Sequence, residues 1–512
     1  MKLHFSTKSF PRSLTVRQIY ICSRVLASLF STKAQTQPYR PSSSSPRVLA
    51  LYRRIERVRD PKASVAPVLE KWVSEGNTVQ KEQLQFLVRR MKCYRRFNHA
   101  LEISHWMTDR RYLPLSPIDT AVRLDLINRI YGSVHAETYF KKLSDKLKTY
   151  HVYGALLIGY VQENYVQKAE AIMQEMREKG MATSSFPYNI LINLYAKTGD
   201  LKKIDILVQQ METSGIPQDK YTMRNLMATC VAVSDISEME RILNQIEENP
   251  RLGLDWEVYS IAASGYLKFG SIDKALTKLR KMEGMMMTSK RKTVVFNFLL
   301  TQYAETGKKD ELYRVWKTYK PLIESRDTAF GCMIASLSKL DDIEGAEKIF
   351  EEWESQCTVY NFRMLNSLLI AYCKKGLFEK AEAAVEKAAE GRTPYASTWS
   401  VLAMGYKEYN QMSKAVEMLK RALISRNGWK PNPTTLTACL NYLEAQGDAE
   451  GMEEIIKSLK RSELLTRDIY HRLVRTYIAA GKSVTEVLDQ MKIHDFVADE
   501  ETHKILEAKP SL

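Results

Sequence analysis

The stretch Phe186-Pro-Tyr-Asn-Ile-Leu-Ile-Asn-Leu-Tyr-Ala-Lys-Thr-Gly-Asp200 decides the fold. It is an apolar run that reaches Tyr195 and stops four residues later at a glycine, and the same pattern returns along the chain. The residues equivalent to Tyr195 are Tyr160, Tyr195, Cys230, Tyr266, Tyr303, Leu337, Tyr372, Tyr406, Leu443 and Tyr477, separated by 34 to 37 residues. Four positions beyond each stand Asn164, Gly199, Ser234, Gly270, Gly307, Asp341, Gly376, Asn410, Gly447 and Gly481. Most are glycine or asparagine, the residues that enter the left-handed region at least cost and so end one helix and allow a tight turn into the next.

Five residues further on, half of the units carry a small residue: Ala169, Ala275, Ala346, Ala381 and Ala415. A small side chain there lets two helices approach closely. The segment that follows the turn has apolar residues at helical spacing, as in Ala169, Ile172, Met173 and Met176. Each unit therefore reads as a helix of about 12 residues, a turn, and a second helix of about 12. One such hairpin cannot bury both its apolar stripes, but a stack of them can. The predicted fold is an all-α solenoid of tandem helix-turn-helix repeats of about 35 residues. Ten units span 150–499. Two or three degenerate ones occupy 62–149, where Arg96-Phe-Asn-His-Ala-Leu-Glu-Ile103 and His135-Ala-Glu-Thr-Tyr-Phe140 each match the start of a second helix. A short cap and tail, 500–512, closes the chain.

The charge is unevenly placed. The formal net charge is +16, yet ten basic residues precede the first acid, Glu56, and the remainder holds 66 basic against 60 acidic residues. The first 32 residues are rich in Arg, Ser and Thr and free of acids, and Ile19 to Phe30 can form an amphipathic helix. This pattern suits an organellar transit peptide, mitochondrial or alternatively chloroplast. A Ser/Pro-rich linker follows at 33–61. No run of 18 apolar residues exists, so no membrane insertion is expected. The seven cysteines form no CxxC pair and read as reduced core thiols, with no zinc site. No HExxH, phosphate loop or GxGxxG accompanies the repeats, so neither an enzyme nor a cofactor is expected. Paired acids such as Asp341-Asp342 and Glu351-Glu352 read as solvent-facing.

The unit endings Gly215-Ile-Pro-Gln-Asp219 and Gly428-Trp-Lys-Pro-Asn432 resemble the close of pentatricopeptide repeats. The openings Phe186-Pro-Tyr-Asn-Ile-Leu-Ile192, Val294-Val-Phe-Asn-Phe-Leu-Leu300 and Leu365-Asn-Ser-Leu-Leu369 resemble their start. The chain is identified as a member of that family, of the P subclass of plant organelles, and the tetratricopeptide W-x-x-L-G signature does not recur. The resemblance implies a right-handed superhelix with single-stranded RNA, mRNA or rRNA, as ligand, one nucleotide per repeat. The fifth residue of each first helix would meet a base edge, and the last residue of the unit would orient it. On that pattern Asn189 with Asp219 is similar to a uridine-preferring pair and Ser400 with Asn432 to an adenine-preferring pair. Asn297 and Asn366 stand at fifth positions with last residues outside the pattern, Arg326 and Tyr395, and Arg224 with Asp255 departs from it too. Phe186, Tyr221 and Val294, at second positions, could stack on bases. The implied roles are transcript stabilisation, processing or translation in the mitochondrial matrix, alone or with RNA-processing proteins. The alternatives are an accessory subunit of the mitochondrial ribosome and a protein-protein scaffold.

Overall fold

The computed structural model describes residues 46–507 except 59, 61, 62, 250, 251, 324, 325, 426–428, 462–464 and 495. The transit-peptide segment, 1–32, lies outside the described residues. The segment read as a linker, 33–61, holds a helix, Pro46–Glu56, whose Leu51 and Ile55 are buried. Among the described residues there are 27 α-helices and no strand, and no helix is long and apolar enough to cross a membrane.

The chain divides into two units, Met1–Lys278 and Leu279–Leu512. In the first, the leading helices of successive repeats pack side by side in chain order: Pro117–Tyr131, Tyr150–Gln162, Ser185–Thr198, Lys220–Val233 and Trp256–Lys268. Helices such as Val166–Glu178, Leu201–Thr213 and Ile236–Glu248 pack against them as the second halves of the hairpins. In the second unit the row runs Lys292–Glu305, Arg326–Lys339, Phe362–Lys374, Ala396–Glu408, Pro433–Gln446, Arg467–Ala479 and Glu500–Glu507. The last of these occupies the place of a leading helix, so the C-terminal segment covers an apolar face that would otherwise meet water. Each unit is thus a stack of helical hairpins.

All ten residues expected to turn the chain have a positive φ, from 56° at Asn410 to 79° at Gly199. Ser234 and Asp341 adopt it at 65° without the freedom of glycine. The hairpin geometry therefore overrides the local cost of about 1–2 kcal/mol for a side chain in this region. The turn is completed by the residue that follows: Asp200, Asp235 and Asp342 each cap the second helix by accepting from the backbone three residues on. Asp342 also accepts from the Tyr313 hydroxyl at 2.9 Å and pairs with Lys309 at 2.7 Å. Glu352 pairs with Lys320. Asp341 and Glu351 are exposed, whereas Asp342 is held in the packing, which corrects its reading as a solvent-facing acid.

A second recurrence was hidden in the apolar pattern. The tyrosine of the leading helix donates its hydroxyl to a glutamate on the second helix of the preceding repeat. The pairs include Tyr195 with Glu170 (2.7 Å), Tyr266 with Glu240 (3.0 Å), Tyr372 with Glu347 (2.8 Å), Tyr406 with Glu382, and Tyr477 with Glu453. A lysine eight residues beyond each of the first three tyrosines joins the same carboxylate, as Lys203, Lys274 and Lys380 do at 2.7–3.0 Å. Burial and the carboxylate together push these phenols well above their ordinary value. Each clasp ties one hairpin to the next.

Glu137 shows the consequence for pH. Hydrogen bonds from Lys141 and Lys168 and the Tyr160 hydroxyl hold its carboxyl at about 2, below the ordinary 4.5. A depressed carboxylate stabilises the fold above its unfolded pKa and loses that contribution as pH falls through the folded one. Glu137→Gln is therefore expected to flatten the acid limb of a stability profile between about pH 4.5 and 2, and to leave thermal melts near pH 7 lower by no more than a degree or two.

Candidate nucleic-acid interface

Asp219 is the residue on which the best-defined pair is built. It caps the helix Lys220–Val233, where its Oδ1 accepts from the backbone of Tyr221 and Thr222, both at 2.9 Å. The same oxygen accepts from Asn189 Nδ2 at 3.1 Å, and Oδ2 accepts from Ser185 Oγ at 2.7 Å. A helix N-terminus thus fixes the carboxylate, and the carboxylate fixes the amide. Asn189 Oδ1 is left without a partner, as are Asn297 Oδ1 and Asn366 Oδ1. Leaving a buried acceptor unmade costs about 1–3 kcal/mol, a cost that a donor on a ligand would remove.

The other expected positions differ. Asn432 caps Pro433–Gln446 through Thr434 and Thr435, and among the described residues no hydrogen bond joins it to Ser400. Asn366 donates to Ser397 Oγ at 3.1 Å, while Tyr395, the last residue of that repeat, packs its ring at 5.2 Å from Phe362. The fifth residue can therefore meet either the last residue of its own repeat or the second residue of the next. Asn297 and Val294 are half-buried on Lys292–Glu305; the Arg326 side chain lies outside the described residues.

The second-position aromatics are half-buried in the protein itself. Phe186 covers Gly154, the fifth residue of the preceding repeat, so that a Cβ added there would lie 2.9 Å from its ring. Met364, the third residue of its repeat, covers Gly331 with its methyl end, also at 2.9 Å. Tyr221 lies beneath the Arg224 guanidinium at 5.5 Å. His471, a fifth residue, is buried and hydrogen-bonded to Thr502 at 2.9 Å.

Arg224 departs from the family pattern, and its role emerges only in the folded chain. Its side chain is buried and pairs with both Asp255 and Glu257. The available signal was an arginine at the fifth position, with acids 31 and 33 residues further on, the spacing of the next repeat's start.

The cysteines Cys230, Cys373 and Cys439 are buried and free, and burial pushes the last two up to about 11 and 12. Among the described residues no cluster of His, Cys, Asp or Glu is arranged to hold a metal.

Tandem two-helix hairpins with this inner pairing define a helical-repeat protein, and the chain belongs to the pentatricopeptide repeat family. The model of the PPR repeat matches residues 151–181, 186–216, 328–357 and 363–388. A mitochondrial pentatricopeptide repeat-containing protein of Arabidopsis thaliana is 38% identical over 453 residues, 88% of this chain and 91% of that protein. The large ribosomal subunit protein mL101 of the same plant is 37% identical over 464 residues, covering 89% and 94%. Among solved structures, the pentatricopeptide repeat protein PPR10 from maize aligns over 90% of this chain and 70% of that one, at 17% identity and a TM-score of 0.37.

Proposed function

We propose that this chain is a mitochondrial RNA-binding protein that holds a single-stranded segment against its leading helices, with residues 1–32 serving as the import presequence. The observation that carries this reading is the Asn189–Asp219 pair, a side-chain amide held at 3.1 Å by a carboxylate that a helix end has already fixed. Such an amide offers a base edge a pre-oriented partner and loses little freedom on binding. The chain beyond the N-terminal basic run is only mildly cationic, so phosphate contacts supply a modest share of affinity. A bound segment would be shielded from nucleases, or kept unpaired for processing or translation in the matrix. Mitochondrial relatives at 38% and 33% identity support the compartment.

The test is fluorescence anisotropy of the mature chain with RNA selected from mitochondrial transcripts. Affinity is expected to fall with rising salt. Asn189→Ala is expected to weaken the selected RNA about 5- to 30-fold, as loss of one base contact worth ~1–2 kcal/mol requires. No salt-sensitive binding to any mitochondrial RNA would end the proposal. A second reading, an accessory subunit of the mitochondrial ribosome, is favoured by the likeness to mL101. It predicts co-sedimentation with ribosomal subunits, whereas the first predicts light, RNase-sensitive fractions.

A further inference from the structure

We propose that the repeat opening at Lys220 is closed to bases, so that RNA held by its neighbours passes this slot unread. The inference rests on the RNA-binding reading and adds to it a break in the register of recognition. The three residues that surround a slot are the fifth of one repeat, its last, and the second of the next. In the preceding repeat these are Asn189, Asp219 and Tyr221. Here they are Arg224, Asp255 and Glu257.

Arg224 is 2% exposed, and its two terminal nitrogens go to different carboxylates, Nη2 to Asp255 and Nη1 to Glu257. Asp255 is itself held as the cap of Trp256–Lys268 by the backbone of Glu257 at 3.0 Å. The Tyr221 ring lies 5.5 Å from the guanidinium carbon. The slot is therefore filled from below by a ring and across its width by an ion triad.

The chemistry follows from the donor and acceptor inventory. Reading a base edge needs a side chain with an uncommitted donor or acceptor facing it. Each terminal nitrogen of the guanidinium is engaged by a carboxylate, and Nε, which has no partner, is buried and does not face a base. The carboxylates add only acceptors, and the triad carries one positive and two negative charges, a net repulsion for a phosphate backbone. Withdrawing Arg224 toward a base would strand both acids, so the slot does not open to accommodate RNA. Asp219 holds a single neutral amide at Asn189, so turning that amide toward a base strands no charge.

The experiment is selection from a random RNA pool with the full mature chain, followed by sequencing. Asn189→Ala marks its own nucleotide by erasing the preference there. The wild-type chain is expected to show all four bases within about twofold at one nucleotide adjacent to it. The double variant Arg224→Asn with Glu257→Val rebuilds the Asn–Asp arrangement and is expected to gain at least a fivefold preference at that adjacent nucleotide, with the rest of the motif unchanged. Strong wild-type preference at both flanking nucleotides overturns this inference alone, as does a double variant that is folded by circular dichroism and gains nothing. If the double variant does not fold, the wild-type profile decides. Failure to enrich any RNA overturns both readings.

Discussion

Arg314→Met is expected to lower the stability of the second unit by about 3 kcal/mol, read as a shift of the urea midpoint. The reason lies in Glu283, a buried carboxylate at the end of Ile272–Met286. Arg314 grips it with both terminal nitrogens, at 2.7 and 3.1 Å, while Tyr319 donates at 3.1 Å and Tyr303 donates from the neighbouring leading helix. This is the tyrosine–glutamate clasp with an arginine in place of the lysine. Removing the cation leaves a buried anion served only by two phenols, and breaking such a pair from one side typically costs about 3–5 kcal/mol. The lower end applies because the Arg314 side chain is 42% exposed, so water reaches the gap. Glu283→Gln combined with Arg314→Met is expected to recover most of the loss, since no charge is then left unpaired. A double variant no better than Arg314→Met alone would show that the lost alkyl packing, and not the stranded charge, sets the cost.

Gly405→Ala is expected to destabilise by about 2 kcal/mol although alanine is the better helix former by ~1 kcal/mol. The helix Ala396–Glu408 crosses its predecessor so closely that a Cβ on Gly405 would lie 2.7 Å from Cys373 Cβ and 3.3 Å from the Phe378 ring. A Cβ cannot swing aside as a side-chain end can, so the two helices must part. Gly284→Ala is the control. That glycine is helical and has nothing within 4 Å of its added Cβ, so the same substitution is expected to stabilise by about 0.5–1 kcal/mol. Thermal melts of the two variants should move in opposite directions. A fall for both would mean that Gly284 has a partner the packing does not reveal, and a rise for both would mean that the helices at Gly405 yield freely.

The repeat was legible because its determinants are local and recur. A left-handed residue four positions beyond a buried aromatic is visible in a string of letters, and all ten such positions adopt the expected backbone. The same regularity placed Asn189 opposite Asp219, since a fixed period of about 35 residues brings the end of one repeat beside the start of its leading helix. The clasp between Tyr195, Glu170 and Lys203 was not legible. A tyrosine in an apolar run reads as core, and nothing in the run says whether its hydroxyl ends in oil or against a carboxylate. Ser400 and Asn432 stand at the same spacing, but among the described residues no hydrogen bond joins them, and Asn432 is seen only as the cap of Pro433–Gln446.

By itself, then, the order of amino acids determined the helical hairpin, its period and where each turn falls, because backbone preferences and apolar spacing act within a dozen residues. What occupies each slot of the inner face was decided only in three dimensions. Whether Gly154 lies open or beneath Phe186, and whether Arg224 meets water or two acids, depends on the crossing of neighbouring helices and on distances of a few ångströms, over which charge and hydrogen bonding change sign.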